Sequence, residues 1–135
     1  MRNFVAILSC LLLLAGCYKL EFDGNAFYTV KGRITDTANH SIANLQVLIY
    51  NTRTYSPFLD NGIVSAKTNT DIDGNFTLTF PASNGFTYLQ LQEDYVILPN
   101  RTGSNQFNNG NTVFIDTSSF HNYFTNLKTI KVYKP

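Results

Sequence analysis

Apolar and polar residues alternate in short runs along most of this chain. Between residues 27 and 34, Tyr28, Val30 and Ile34 fall on one side of an extended backbone, and Thr29, Lys31 and Arg33 on the other. A period of two marks a strand with one buried face and one wet face. The same period recurs at 44–50, with Leu45, Val47 and Ile49 inward, and at 63–70. It continues at 75–80 (Phe76, Leu78, Phe80), 86–92 (Leu89, Leu91), 112–116 and 127–134 (Ile130, Val132). Turn-forming residues separate these runs at 36–41, 51–62, 71–74, 81–85 and 99–111. No stretch keeps a helical period, and no segment repeats. Seven short strands over this length predict an all-β, seven-stranded antiparallel Greek-key sandwich, built as one domain over residues 27–135. Residues 18–26 lack periodicity and read as a linker; extended, they reach about 30 Å.

The start of the chain follows another rule. Arg2 and the amino terminus give a positive beginning, Phe4 to Leu14 is almost wholly apolar, and small residues follow. That is the layout of a secretory signal, and the apolar run falls short of the ~20 residues a membrane-spanning helix needs. Leu14-Ala15-Gly16-Cys17 resembles the lipobox of bacterial lipoproteins. The resemblance implies a signal at 1–16, cleavage before Cys17 and a diacylglyceryl group on the Cys17 thiol. It also implies a membrane partner, reached through that covalent lipid. Residues 17–26 are then the lipidated amino terminus and linker. Tyr18 stands where an Asp directs retention in the inner membrane of some bacteria. Its place there favours the outer membrane.

Cysteine use is then settled. Cys10 leaves with the signal and Cys17 carries lipid, so no thiol remains for a disulfide or a metal. The chain holds ten basic and nine acidic residues, and losing Arg2 brings the mature charge to about zero. The basic residues are scattered, which gives no footprint for nucleic acid.

The stretch running from Thr29-Val30-Lys31-Gly32 to Tyr50, with Thr68 to Phe80, resembles the carboxypeptidase regulatory-like domain, a relative of the transthyretin-like sandwich. Val30, Gly32, Ile34 and Asp36 match its opening, Ile42, Ala43 and Val47 its second strand, and Thr70, Asp71, Gly74, Phe76 and Leu78 its turn and following strand. Asn44-Leu45 replaces the family's usual Gly-Ala. The resemblance covers residues 28–93 and implies a fold rather than an activity, since such domains serve as accessory modules on many surface proteins.

Candidate chemistry is sparse. Asp71, Asp73 and Asn75 stand two apart, as calcium ligands do. An EF-hand loop needs Gly at its sixth position and Glu at its twelfth. Counted from Asp71, Gly74 comes too early and Ala82 closes the loop. Asp73-Gly74 fits a tight hairpin better, with Asp71 bonding to nearby N–H groups. No metal and no cofactor are expected. His40 and His121 fall in loops without the spacing of zinc ligands. Asp36, Asp60, Glu93 and Asp94 nominate no catalytic pair. Transthyretin-related hydrolases of 5-hydroxyisourate end in a Tyr-Arg-Gly-Ser signature, and this chain ends Val132-Tyr133-Lys134-Pro135. No catalytic residue is nominated.

Asp36-Thr37-Ala38 resembles the acceptor for O-glycosylation of exported proteins in some bacteria, which would modify Thr37. In an alternating sandwich the loops 51–62, 81–85 and 117–126 share the end where the first strand begins. That end would carry Tyr55, Phe58, Phe120, His121, Tyr123 and Phe124. These aromatics either plug the bottom of the core or meet a membrane or partner. The whole reads as a non-catalytic, lipid-anchored binding or scaffolding module of the cell envelope. Its partner would be another envelope protein, a glycan or a peptide taken up at the surface.

Overall fold

The computed structural model describes residues 19–53, 55, 62–91, 95–98 and 108–135. Nine strands lie among them: β1 (Phe22–Thr35), β2 (Gln46–Thr52), β3 (Ile63–Asn69), β4 (Asn75–Ser83), β5 (Phe86–Leu91), β6 (Val96–Ile97), β7 (Asn108–Asn109), β8 (Thr112–Ile115) and β9 (Phe124–Tyr133). Seven are those the alternation predicts, and β6 and β7 are two-residue additions too short to show a period. The strands form two facing sheets, ordered β4-β1-β9-β6 and β3-β2-β5-β8-β7. The architecture is an all-β sandwich.

Every inward residue named from the alternation is in the core or packed on it. Val30, Ile34, Leu45, Val47, Ile49, Phe76, Leu78, Phe80, Leu89, Leu91, Ile130 and Val132 are buried, and Tyr28 lies against them. Complete burial of such a side chain contributes roughly 1.5–3 kcal/mol. With no disulfide expected, this apolar layer is the main source of stability.

Four expectations need correction. The sandwich is not wholly antiparallel, because β1 and β9 pair in parallel, with Val30 opposite Thr125 and Ile34 opposite Ile130. The alternation itself explains this. The first and last of seven alternating strands run the same way, so they are parallel once they become neighbours. Second, the strand expected from Phe27 begins at Phe22, inside the presumed linker. Phe22 and Asp23 pair with Ser83 and Ala82, and a bulge separates them from Phe27.

Third, β9 starts three residues earlier than its period suggests. Thr125 and Leu127 point inward at odd positions, and Ile130 and Val132 at even ones. Lys128, with φ of 58°, is the extra residue that changes the phase. Fourth, the 71–74 turn is no hairpin within a sheet. It carries the chain from β3 in one sheet to β4 in the other. Gly74 is left-handed at φ 76°, while Asp73 does not share that conformation. Ile34 N–H donates to the Gly74 carbonyl at 2.8 Å. A Cβ on Gly74 would lie 2.4 Å from the Ile34 oxygen. Only glycine fits there.

The register fixes two ends. Turns 36–41 and 71–74 and the Gly110-Asn111 turn share one end, called the tip. The β4–β5 turn, Tyr55 and residues 116–123 share the other, the base, where β1 begins.

Candidate functional site

The outer face of the five-stranded sheet is the least expected surface. In β2, Val47 and Ile49 point to the core, so Leu48 and Tyr50 point out, yet Leu48 is buried. A row of side chains crosses four strands in register: Val64, Tyr50, Tyr88 and Phe114. The Tyr88 and Phe114 rings are 5.4 Å apart. Tyr55 lies on this cluster, edge-on to Phe114 at 5.3 Å and to Phe86 at 5.6 Å. Such pairs add about 0.5–1.5 kcal/mol beyond area burial.

Toward the tip the next row runs Lys67, Leu48, Gln90 and Thr112. Here the face opens into a groove of 610 Å³. Leu48, Tyr50 and Val64 supply apolar floor, and Gln46, Gln90, Asn111 and Lys67 the polar margin. Asn111 is held in place, since its Nδ2 donates to the Leu91 carbonyl at 2.8 Å. The described lining contains no carboxylate, imidazole or thiol. Primary amides offer donors and acceptors side by side. This arrangement suits a neutral polar ligand with an apolar face.

Beneath the groove, Asn51 is completely buried between the sheets. Its Nδ2 donates to Ser83 Oγ at 2.8 Å and Thr87 Oγ1 at 3.0 Å, and Ser65 Oγ donates to its Oδ1. The network joins β2, β3, β4 and β5 near the base. Ser65 is the extra residue of a bulge between Ala66 and Val64, which turns it toward Asn51.

The expected aromatics separate into two groups. Phe120 packs against Tyr28 at 4.4 Å and Phe80 at 6.4 Å, sealing the base of the core. Tyr55 belongs to the outer-face cluster. Tyr123 is 5.8 Å from Tyr28, yet 58% of its surface is exposed. Phe124 lies under Lys31, whose Nζ is 4.8 Å from the ring centre. Phe58 lies outside the described residues, as do Cys17, the signal, Asp60, Glu93 and Asp94.

Thr37 is exposed in the 36–41 turn, where the acceptor pattern requires access. That turn is held by Asp36, whose Oδ1 accepts from the N–H groups of Ala38 and His40 at 2.8 Å each. Exposed His40 meets Asp36 Oδ2 at 3.0 Å. The His40 backbone N–H, foremost, holds the Asp36 carboxyl below the ordinary aspartate value. Asp71 repeats the device. Its Oδ1 accepts from Asp73 and Asn75 N–H at 2.9 and 2.7 Å, and Asn75 Nδ2 donates to Oδ2 at 3.2 Å. The Asn75 backbone N–H is the main cause of its lowered pKa. Both oxygens of Asp71, one of the residues read as a calcium ligand by spacing, are thus turned toward donors of their own turn.

The groove residues were missed because the period-two rule assigns outward positions to water. The signal was nevertheless in the chain. Val47-Leu48-Ile49-Tyr50 is an unbroken apolar run, and Tyr88 and Phe114 stand at outward positions. Such runs mark strands covered on both faces.

No family model matches the chain. No curated protein sequence matches it either. Several solved structures align with it. Shaft pilin SpaA from Lactobacillus rhamnosus GG aligns at TM-score 0.54 and 11% identity, over 81% of this chain and 48% of the pilin. A 9R-lipoxygenase from Cyanothece aligns at 0.49 and 8% identity, over 93% of this chain and 20% of the enzyme. The Bacillus anthracis TIE protein aligns at 0.49 and 18% identity, over 82% and 18% respectively. The chain therefore spans half or less of each of these proteins. The pilin alignment supports the β-sandwich architecture.

Proposed function

We propose that this protein is a lipid-anchored, non-catalytic binding module of the bacterial outer membrane, built on a transthyretin-like, carboxypeptidase regulatory-like sandwich. One observation carries the binding part of the reading: the outer face of the five-stranded sheet is aromatic and apolar at its base, and opens toward the tip into a groove edged by amides. A sheet face with no role beyond solvation would carry Thr, Lys and Glu at Leu48, Tyr50, Tyr88 and Phe114. The lipobox at Leu14 to Cys17 supports the anchoring part.

The anchor has a direct test. Cys17→Ser should leave an unprocessed precursor that lacks the acyl mass. Normal processing and membrane attachment of that variant would refute it.

A glycan ligand is favoured over a peptide by the groove's margin. Gln46, Gln90 and Asn111 can pair with sugar hydroxyls while Tyr50 and Leu48 meet the C–H face of a ring. Titration against envelope polysaccharides should show binding that Tyr50→Ala or Gln90→Ala lowers about tenfold or more, the worth of one good hydrogen bond or ring contact. Binding unaffected by both variants would remove the groove from consideration. Attachment to an envelope protein by strand addition along β3 would then become the stronger reading.

A further inference from the structure

Among the described residues, the large exposed apolar side chains are not spread evenly. Phe22, Phe27, Tyr55, Ile63, Tyr123 and Phe124 are all at least 36% exposed, and all belong to the base. Ile72 and Tyr133 are the counterparts toward the tip. Single exposed apolar residues are ordinary, but a collection at one end is not.

The chain enters the domain at that same end, and it does so tightly. Glu21 N–H donates to Asn84 Oδ1 at 2.9 Å, and Asn84 N–H returns a bond to the Glu21 carbonyl at 3.2 Å. Asn84 Nδ2 also donates to the Lys19 carbonyl at 3.3 Å. Leu20 is buried against Gly85. A Cβ on Gly85 would lie 2.4 Å from Leu20 Cδ1, so the glycine makes the seat for that side chain. The polypeptide is therefore tied to the base from Lys19 onward. From Cys17 to Leu20 the backbone reaches about 10 Å at most. A lipid on the Cys17 thiol sits at the boundary between acyl chains and headgroups, a zone about 5–8 Å deep on each side of a bilayer.

We infer that the base of the sandwich rests on the headgroup layer of the membrane that holds Cys17, with the exposed rings of Phe27 and Tyr123 set into the interface. This rests on the reading of Cys17 as lipidated. At full stretch, about 10 Å against a layer of about 5–8 Å, this tether holds the base within a few ångströms of the headgroup surface. Aromatic rings favour that depth because it offers apolar contact beside water. The lipid chains hold the protein, and the exposed rings of the base fix its tilt. The groove and Thr37 then face away from the bilayer or along its surface, open to large ligands and enzymes.

The chain has no Trp, so a single substitution is a clean reporter. Full-length protein, processed by its host, is reconstituted into phosphatidylcholine vesicles containing lipid brominated close to the headgroup. The Tyr123→Trp protein should lose most of its emission, and the Ile72→Trp protein at the tip should lose almost none. Phe27→Trp replaces Tyr123→Trp if the latter folds poorly. Equal quenching at base and tip, or none at the base, would overturn the seated geometry. So would a change of base emission that appears only when envelope proteins are added. The intact mass of the same samples separates the two ideas. A missing acyl group sinks the anchor itself. An acylated protein with an unquenched base sinks only the seating.

Discussion

At the tip, Asp36 and Asp71 each gather N–H groups from the turn they begin, and Gly74 locks that turn against β1. At the base, Phe120 fills the end of the core, while Tyr55 and Tyr123 lie half in water. Asp116 caps a short 3-10 turn there, on a smaller scale. Both ends must close the same sandwich. One does it almost wholly with directed hydrogen bonds and backbone geometry, while the other adds apolar ring contact to its hydrogen-bonded ties. The first kind of closure tolerates little change in shape. The second tolerates a good deal, and leaves rings over for contact with something else.

The largest effect should come from breaking the tip. Gly74→Ala forces a side chain into a left-handed residue and against the Ile34 carbonyl. A loss of about 2–4 kcal/mol is expected in urea unfolding. A loss below ~1 kcal/mol would show that the tip is as adaptable as the base. Phe120→Ala should cost less, about 2 kcal/mol, because the ring is only partly buried and its site can be refilled by Tyr123.

Acid should sharpen the contrast further. Asp36, Asp71 and Asp116 all have pKa values lowered in the folded state, by the backbone N–H groups of His40, Asn75 and Ser118 respectively. A depressed folded pKa gives stability that is full above the unfolded value and is lost as pH falls through the folded one. Urea midpoints should therefore hold steady above the ordinary aspartate value of 3.8 and drop below it. In Asp36→Asn/Asp71→Asn the midpoint should be lower at neutral pH and change less on acidification. An unchanged pH profile would mean the turns do not need their charge. The smallest effect belongs to the base: Tyr123→Ala should shift stability by no more than ~0.5 kcal/mol.

Much of the sandwich was legible because burial on one face imposes a period on the residues. Val30, Ile34, Leu78 and Val132 could be placed inward without knowing what they touch. The pattern failed where the backbone left its period. Lys128 moved β9 by one residue, and Ser65 did the same in β3. A period cannot announce the residue that interrupts it. Pairing was illegible for a different reason. Alternation gives each strand a direction but no neighbour, so the β1–β9 contact could not be read. The groove was hidden by the assumption that outward means wet, which the apolar run at Val47 to Tyr50 contradicts. Asp71 to Asn75 was recognisable as a turn, but not as one that changes sheets.

The parallel pairing of β1 with β9 sets a timetable for the molecule. Strand β1 occupies the middle of its sheet, with β4 on one side and β9 on the other. Its second partner comes far later in the chain, with Thr29 meeting Phe124. Pairings between distant segments must overcome the entropy of closing a long loop before they return any stability, and folds that depend on them form slowly. Under the export proposed above, amino end first, β1 would cross with one edge still open. The sheet could be completed only once β9 had followed. Until then that open edge offers unpaired N–H and C=O groups to any other strand it meets.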